Sequence, residues 1–345
     1  METFLGIDYP TLWYLVVGLL FSGYAVLEGF DYGAGSWHLF FKKDLSRRIA
    51  INAIGPLWDA NQVWLIIGGG ALFAGFPVMY ATMLSAMYIP FMLFLMLLVL
   101  RSTAIKFRSS EEMPWWRKTW DIIYFGSNVL IAFLLGVVLA NVLQGFELGE
   151  NHSYKGGVFL TFLSPYAIMA GLTTLSLFMT QGAIFLLLKT EGRLHARLTF
   201  LLKRGMLFFI GSFAVTSVYT LLFLPGVIDK FKEYPIFFVL PVLAFLAVAN
   251  VPRLVSKKKY AHALIFSSLT MGFLLMLVAF QLYPVLLPST IDPAYSVTIF
   301  NAASSQKSLG IMLTMVVIGA PILLGYLAFL YKTFNGKVVL DDTSY

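Results

Sequence analysis

The sequence predicts an all-α integral membrane protein of nine transmembrane helices, with its amino terminus outside the cell and its carboxyl terminus in the cytoplasm. Three observations predict it. The 345 residues are 59% hydrophobic and only 12% charged, at a mean hydropathy of +0.83, which leaves too little polar side chain to cover a water-exposed surface. Nine apolar stretches are long enough to cross the hydrocarbon core, which takes roughly 20 residues of helix. The basic residues alternate between the connecting segments, 20 on one side and 4 on the other, and the richer side is the cytoplasmic one.

The first span, 11–30, is preceded by no basic residue and is too long for a signal-peptide core, so it is expected to be retained. Lys42, Lys43, Arg47 and Arg48 follow it. Spans 57–75 and 78–100 are separated only by the tight turn Gly75-Phe76-Pro77, which has no basic residue. Arg101, Lys106, Arg108, Arg117 and Lys118 lead into span 122–144, and an outside loop with Lys155 leads into span 161–188. Lys189, Arg193, Arg197, Lys203 and Arg204 precede span 205–224, and Lys230 and Lys232 precede span 236–251. Arg253, Lys257, Lys258 and Lys259 precede span 263–284. Lys307 precedes span 309–331, which Lys332 and Lys337 follow. Adding or dropping one helix would scramble this alternation, so charge pattern and span count support each other. The net charge of +7 therefore reports topology and not a nucleic-acid patch. With no linker and no loop long enough to fold alone, residues 1–345 read as one polytopic membrane domain.

The absence of cysteine removes disulfides, thiolate metal sites and thiol nucleophiles. His38 and His195 fall in inside loops, His152 in an outside loop and His262 at an inside helix end. With none in mid-span, the chain is a poor candidate to ligate a heme by itself, and no metal site is expected. The fourteen methionines read as packing residues. Gly68-Gly69-Gly70 lacks the Lys-Ser/Thr of a phosphate loop and lies inside a span, where close helix packing accounts for it. Asn128, Asn141, Gln181, Asn250 and Gln281 read as interhelical hydrogen-bond partners.

Ionisable residues near membrane depth are costly and therefore candidates for function. Glu28 and Asp31 stand three apart, on one helix face, at the cytoplasmic end of the first span. Two neighbouring acids cannot both ionise cheaply, which suits groups that take and pass protons. The second span opens Pro56-Leu57-Trp58-Asp59-Ala60-Asn61-Gln62, with Asp59 near the positive end of the helix dipole and on one face with Gln62. The three carboxylates are expected to cluster in a polar entrance on the cytoplasmic side, with Arg101 neutralising one of them. Spacing alone leaves a second reading open, in which the acids only cap helices and pair with basic loops.

The segments Glu28-Gly-Phe-Asp31-Tyr-Gly-Ala-Gly35, Pro56-Leu-Trp-Asp59-Ala-Asn-Gln-Val-Trp64 with Gly68-Gly-Gly-Ala-Leu-Phe73, and Phe76-Pro-Val-Met-Tyr-Ala81 resemble subunit II of the cytochrome bd-type quinol oxidases. The resemblance continues through Trp116-Arg-Lys-Thr-Trp-Asp121, Thr180-Gln-Gly182 and Asn301-Ala-Ala-Ser-Ser-Gln306. It implies a respiratory terminal oxidase of the bacterial cytoplasmic membrane that oxidises quinol and reduces O2 to water. It implies a fold of two four-helix bundles plus one extra helix, in an obligate heterodimer with a subunit I that carries hemes b and d. A small accessory single-span subunit and a structural quinone in this chain are further partners seen with such proteins. The positions matching Asp31 and Asp59 are associated with a proton route. Glu28 stands where relatives often have aspartate, and Trp58, Asn61 and Gln62 are expected to shape the entrance. Two alternatives stay open: a proton-coupled secondary transporter, and a purely scaffolding subunit.

Overall fold

The computed structural model describes residues 3–340 except 5, 158 and 225, so the chain termini of the expected topology lie outside the described residues. Helix α1 (Tyr9–Ser36) opens at Asp8, whose carboxylate accepts the Thr11 N–H at 2.9 Å, with Pro10 in the first turn, where a missing N–H costs nothing. The helix does not stop at residue 30. It continues to Ser36 and then tightens into a 3-10 turn, His38–Phe40. The glycines in this added length are close-packing positions. A Cβ on Gly33 would lie 1.7 Å from the Phe178 carbonyl oxygen, and one on Gly35 would lie 2.2 Å from the Asn128 side chain. Glycine is what lets the neighbouring helices come this close.

A short helix not anticipated from hydropathy, α2 (Asp44–Ile54), packs Ala50, Ile51, Ala53 and Ile54 inward. Helix α3 (Trp58–Gly75) and helix α4 (Pro77–Ala86) meet at a bend of 116°, and α5 (Tyr88–Phe107) follows. The expected span 78–100 is therefore corrected: its apolar run is divided between α4 and α5. Pro90 has no N–H to give the carbonyl of Ala86 and its ring would collide with it, so the helix breaks at Met87 and restarts with Pro90 in its first turn.

Helices α6 (Pro114–Gln144), α7 (Pro165–Lys189), α8 (Gly192–Phe223), α9 (Val227–Glu233), α10 (Val239–Ser256), α11 (Tyr260–Leu282) and α12 (Gln306–Thr333) complete the order. The expected span 205–224 also needs correction, since α8 begins at Gly192. Hydropathy fails there because Arg193, His195, Arg197, Lys203 and Arg204 interrupt the apolar run. Leu194, Leu198, Leu201 and Leu202 nevertheless bury one face at helical spacing. Among the described residues, eight helices are long and apolar enough to cross a membrane, and the bent pair α3–α4 is a further candidate span.

Helix α7 is the most buried of the long helices, with α1, α6, α8 and α11 packed around it. Helix α3 lies on α1, α5 on α6, and α10 on α11, while α12 touches α1. The two ends of the bundle have separate cores. One gathers Phe41, Ile51, Leu187, Leu194 and Val255 beside the basic connections. The other gathers Trp13, Phe76, Phe146, Leu287 and Leu309, where Val285–Leu287 and Val297–Thr298 pair antiparallel.

Candidate functional site

The extension of α1 past residue 30 moves Glu28 and Asp31 from an expected helix end into the interior, where both are 0% exposed. Arg101, expected at the end of a span, lies inside α5 with a further helical turn and a half beyond it and is equally buried. The three meet. Arg101 Nη1 is 3.1 Å from Glu28 Oε2, and Arg101 Nε donates to Asn128 Oδ1 at 3.1 Å. Asn128 in turn donates Nδ2 to the carbonyl of Tyr124 at 2.7 Å. The guanidinium lies over the Tyr32 ring at 4.6 Å from its centroid and 6.0 Å from that of Trp58, so aromatic faces support it where water is excluded. Asn61 donates Nδ2 to Asp31 Oδ2 at 2.9 Å, and the Tyr24 and Tyr32 hydroxyls are 2.6 Å apart.

Two carboxyls thus face one guanidinium. Beyond the ion pair, Glu28 Oε1, Asp31 Oδ1 and Arg101 Nη2 are buried without a hydrogen bond to any described residue. Such groups are rare in a folded interior, and each asks for a physical explanation.

Of the residues expected to form the entrance, the structure brings together Glu28, Asp31, Arg101, Asn61 and Trp58, the last 5% exposed. It does not bring in the other two. Asp59 is exposed on α3 and, among the described residues, makes no ion pair, although it lies within electrostatic reach of Glu28. Gln62 lines a different space, a cleft of about 830 Å³ bounded by α3, α4, α5 and α6 with walls such as Leu65, Phe91, Phe94 and Leu134. Gly69 and Gly70 also line it. Close packing therefore accounts only for Gly68, whose added Cβ would touch Phe21 at 3.3 Å, and not for its two neighbours, which have nothing within 4 Å.

The sequence reading missed Asn128 as a member of the site and Tyr331 altogether. Asn128 is the interhelical hydrogen-bond partner expected of a polar residue in an apolar span, but its partner is the guanidinium of the site, which spacing alone does not reveal. Tyr331 ends a span and carried none; its Oη donates to Asn61 Oδ1 at 3.0 Å across 270 residues of sequence. Among the other expected packing partners, Gln181 does bridge helices, donating to the Val26 carbonyl at 3.0 Å and to Ser268 at 3.3 Å. Asn250 donates to its own helix at Leu246.

A second polar centre lies at the basic end. Asp121, 1% exposed, is bound by His38 Nε2, by Arg47 Nη1 at 2.8 Å and by Arg108 Nε. Arg108 also reaches Asp44 at 2.6 Å. His38, expected in a loop, is fully buried, with its ring edge-on to Tyr124 at 5.0 Å. The cluster ties the α1–α2 connection to α5 and α6.

Residues 9–334 match the family model described as cytochrome bd terminal oxidase subunit II. The chain is 33% identical to the cytochrome bd-I ubiquinol oxidase subunit 2 of Escherichia coli (strain K12), over 97% of each chain. It is 32% identical to the cytochrome bd ubiquinol oxidase subunit 2 of Bacillus subtilis (strain 168), over 95% of this chain and 96% of that one. Its fold matches a chain in the structure of bd oxidase from Geobacillus thermodenitrificans with a TM-score of 0.77 at 19% identity, covering 94% of this chain and 98% of the other. With its apolar helices, its buried acid–guanidinium site and these matches along nearly its whole length, the chain belongs to the family of cytochrome bd terminal oxidase subunit II.

Proposed function

We propose that this chain is the heme-free half of a quinol-oxidising, O2-reducing oxidase and that Asp31, Glu28 and Asp59 carry protons from the cytoplasm toward the site where water forms. Membership of the family makes it a multi-pass protein of the bacterial cytoplasmic membrane and a subunit of a terminal oxidase complex. On our reading it is one membrane domain of nine spans, with α3 as the ninth, arranged as two four-helix bundles and an extra helix. The amino terminus is outside, and the basic end that holds His38, Asp121 and Arg108 faces the cytoplasm. It pairs with subunit I, which holds hemes b and d and the quinol. Its own residues do not suit a heme: His38 is fully buried against Tyr124 and bound to Asp121, and the other histidines sit at helix ends or in loops.

The observation that carries the proton reading is the pair of buried carboxyls facing one buried guanidinium. Burying ions without a full set of partners is costly, so structure alone gives no reason to keep the extra acid in an apolar bundle. With one positive charge against two carboxyls, the cluster has place for one exchangeable proton. Asp59, exposed and close enough to act on Glu28, suits the water-side member of the route, with Trp58 beside it. The cleft beside Gln62 suits a structural quinone. Its walls are apolar, as an isoprenoid chain requires, and Gln62, Tyr80, Ser102 and Thr103 supply the few polar groups that would meet a quinone carbonyl.

The transporter alternative has no support once the family is given. The scaffold alternative is separated by experiment: O2 consumption is measured in Asp31→Asn and Asp59→Asn complexes whose heme spectra show full assembly. Turnover is expected to fall in both, more in Asp31→Asn. Full turnover in both overturns the proton reading in favour of the scaffold.

A further inference from the structure

Resting on Asp31 as a proton carrier, a more specific assignment follows from the residue that the sequence did not flag. Tyr331 lies on α12, and its hydroxyl meets Asn61 Oδ1 at 3.0 Å. Because Oδ1 is a carbonyl oxygen, the phenol is the donor. A carboxamide has one accepting end and one donating end, so a phenol on Oδ1 commits Nδ2 to the other side. There it donates to Asp31 Oδ2 at 2.9 Å, and the Leu27 carbonyl at 3.4 Å from Nδ2 favours the same orientation. An oxygen receiving that N–H acts as an acceptor, which leaves Asp31 Oδ1 for a proton. That atom is buried and makes no hydrogen bond to any described residue.

We infer that Tyr331 is a positioning residue for the proton route: through Asn61 it orients Asp31 so that the exchangeable proton is taken up and released on Oδ1. The end of α12 is held in place for this role. Val338 N–H donates to the Lys189 carbonyl at 2.9 Å, Lys337 Nζ to the Thr190 carbonyl at 3.0 Å, and Lys189 Nζ to the Phe334 carbonyl at 2.6 Å. These bonds fasten the segment after α12 to the end of α7, and Tyr331 packs into the buried core beside them. The reacting step is a single proton added to and removed from one oxygen, with no other bond changed.

The test is infrared difference spectroscopy on the intact oxidase across a change of redox state, where protonated carboxyls show a C=O stretching band and the Asp31 band is the one that Asp31→Asn removes. Tyr331→Phe keeps the ring and removes the hydroxyl. It is expected to shift that band and lower turnover several-fold, with the heme spectrum of the assembled complex unchanged. Asn61→Leu, close to the amide in size, is expected to shift the same band and gives a second measurement should Tyr331→Phe assemble poorly. Tyr326→Phe, at an exposed tyrosine on the same helix, is expected to leave it in place. An Asp31 band unmoved in Tyr331→Phe or in Asn61→Leu, or the absence of any band that Asp31→Asn removes, overturns this inference. Full turnover in both Asp31→Asn and Asp59→Asn overturns the proton reading itself, so the two failures are distinct.

Discussion

Arg101 and Glu28 pair at 3.1 Å with neither side chain exposed. Removing one member of such a pair leaves an uncompensated buried charge and typically costs about 3–5 kcal/mol, whereas removing both is far less harmful. Arg101→Met is therefore expected to lose most of the assembled complex. The double variant Glu28→Gln with Arg101→Met is expected to recover much of it. The yield of heme-bearing complex and its thermal midpoint check this. A double variant no better than Arg101→Met alone would show that the pair is not what stabilises the site.

The close approach of α1 and α7 gives a second contrast within one helix. A Cβ at Gly33 would stand 1.7 Å from the Phe178 carbonyl oxygen, and a backbone atom cannot swing aside. Gly33→Ala is expected to destabilise by more than the roughly 1–3 kcal/mol typical of overpacking. Gly18, on the same helix with nothing within 4 Å of its added Cβ, is expected to gain from alanine, by about 0.5–1 kcal/mol of helix propensity. Opposite shifts of the thermal midpoint are the expected result, and equal shifts would contradict the packing.

These glycines also show what sequence reading could and could not reach. Long apolar runs and alternating basic loops identify the long helices, because lipid imposes both requirements on each segment by itself. Helix ends are different. The apolar run gives way after residue 30, and only the contacts of Gly33 with Phe178 and of Gly35 with Asn128 show that the helix goes on, which carries Glu28 and Asp31 from an edge into the core. Helix α8 was cut short because its first turns satisfy water on one face and the core on the other. Asn61 was anticipated, yet Tyr331, 270 residues away, becomes its partner only through the packing of α12 against α1, which no local pattern encodes.

At the basic end, Asp121 is the one carboxylate that His38, Arg47 and Arg108 share. Asp121→Asn removes its charge while leaving two guanidinium groups in place, one of them 1% exposed, and is expected to cost about 3–5 kcal/mol. Asp44, whose side chain is 47% exposed beside Arg108 and Arg117, is expected to cost no more than about 1 kcal/mol as Asp44→Asn. Because the cluster clamps connections rather than carrying protons, turnover per heme in whatever Asp121→Asn complex assembles is expected to match the parent. A large loss of turnover in fully assembled complex would instead put Asp121 on the proton route.

The cleft between α3 and α5, proposed to hold a structural quinone, gives a test that tells such an occupant from a catalytic one. Gly69 faces open space there, with nothing within 4 Å of an added Cβ, so Gly69→Leu fills the cleft without displacing a neighbouring helix. Quinone extracted from the purified complex is expected to fall, while turnover with added quinol stays near the parent value, because on the proposed reading the quinol oxidised in each cycle binds on the partner subunit. Unchanged quinone content would empty the cleft of its proposed occupant. Turnover lost together with the quinone would mean that the occupant of the cleft takes part in the reaction and is not structural, because filling the space at Gly69 leaves the buried carboxyls around Arg101 untouched.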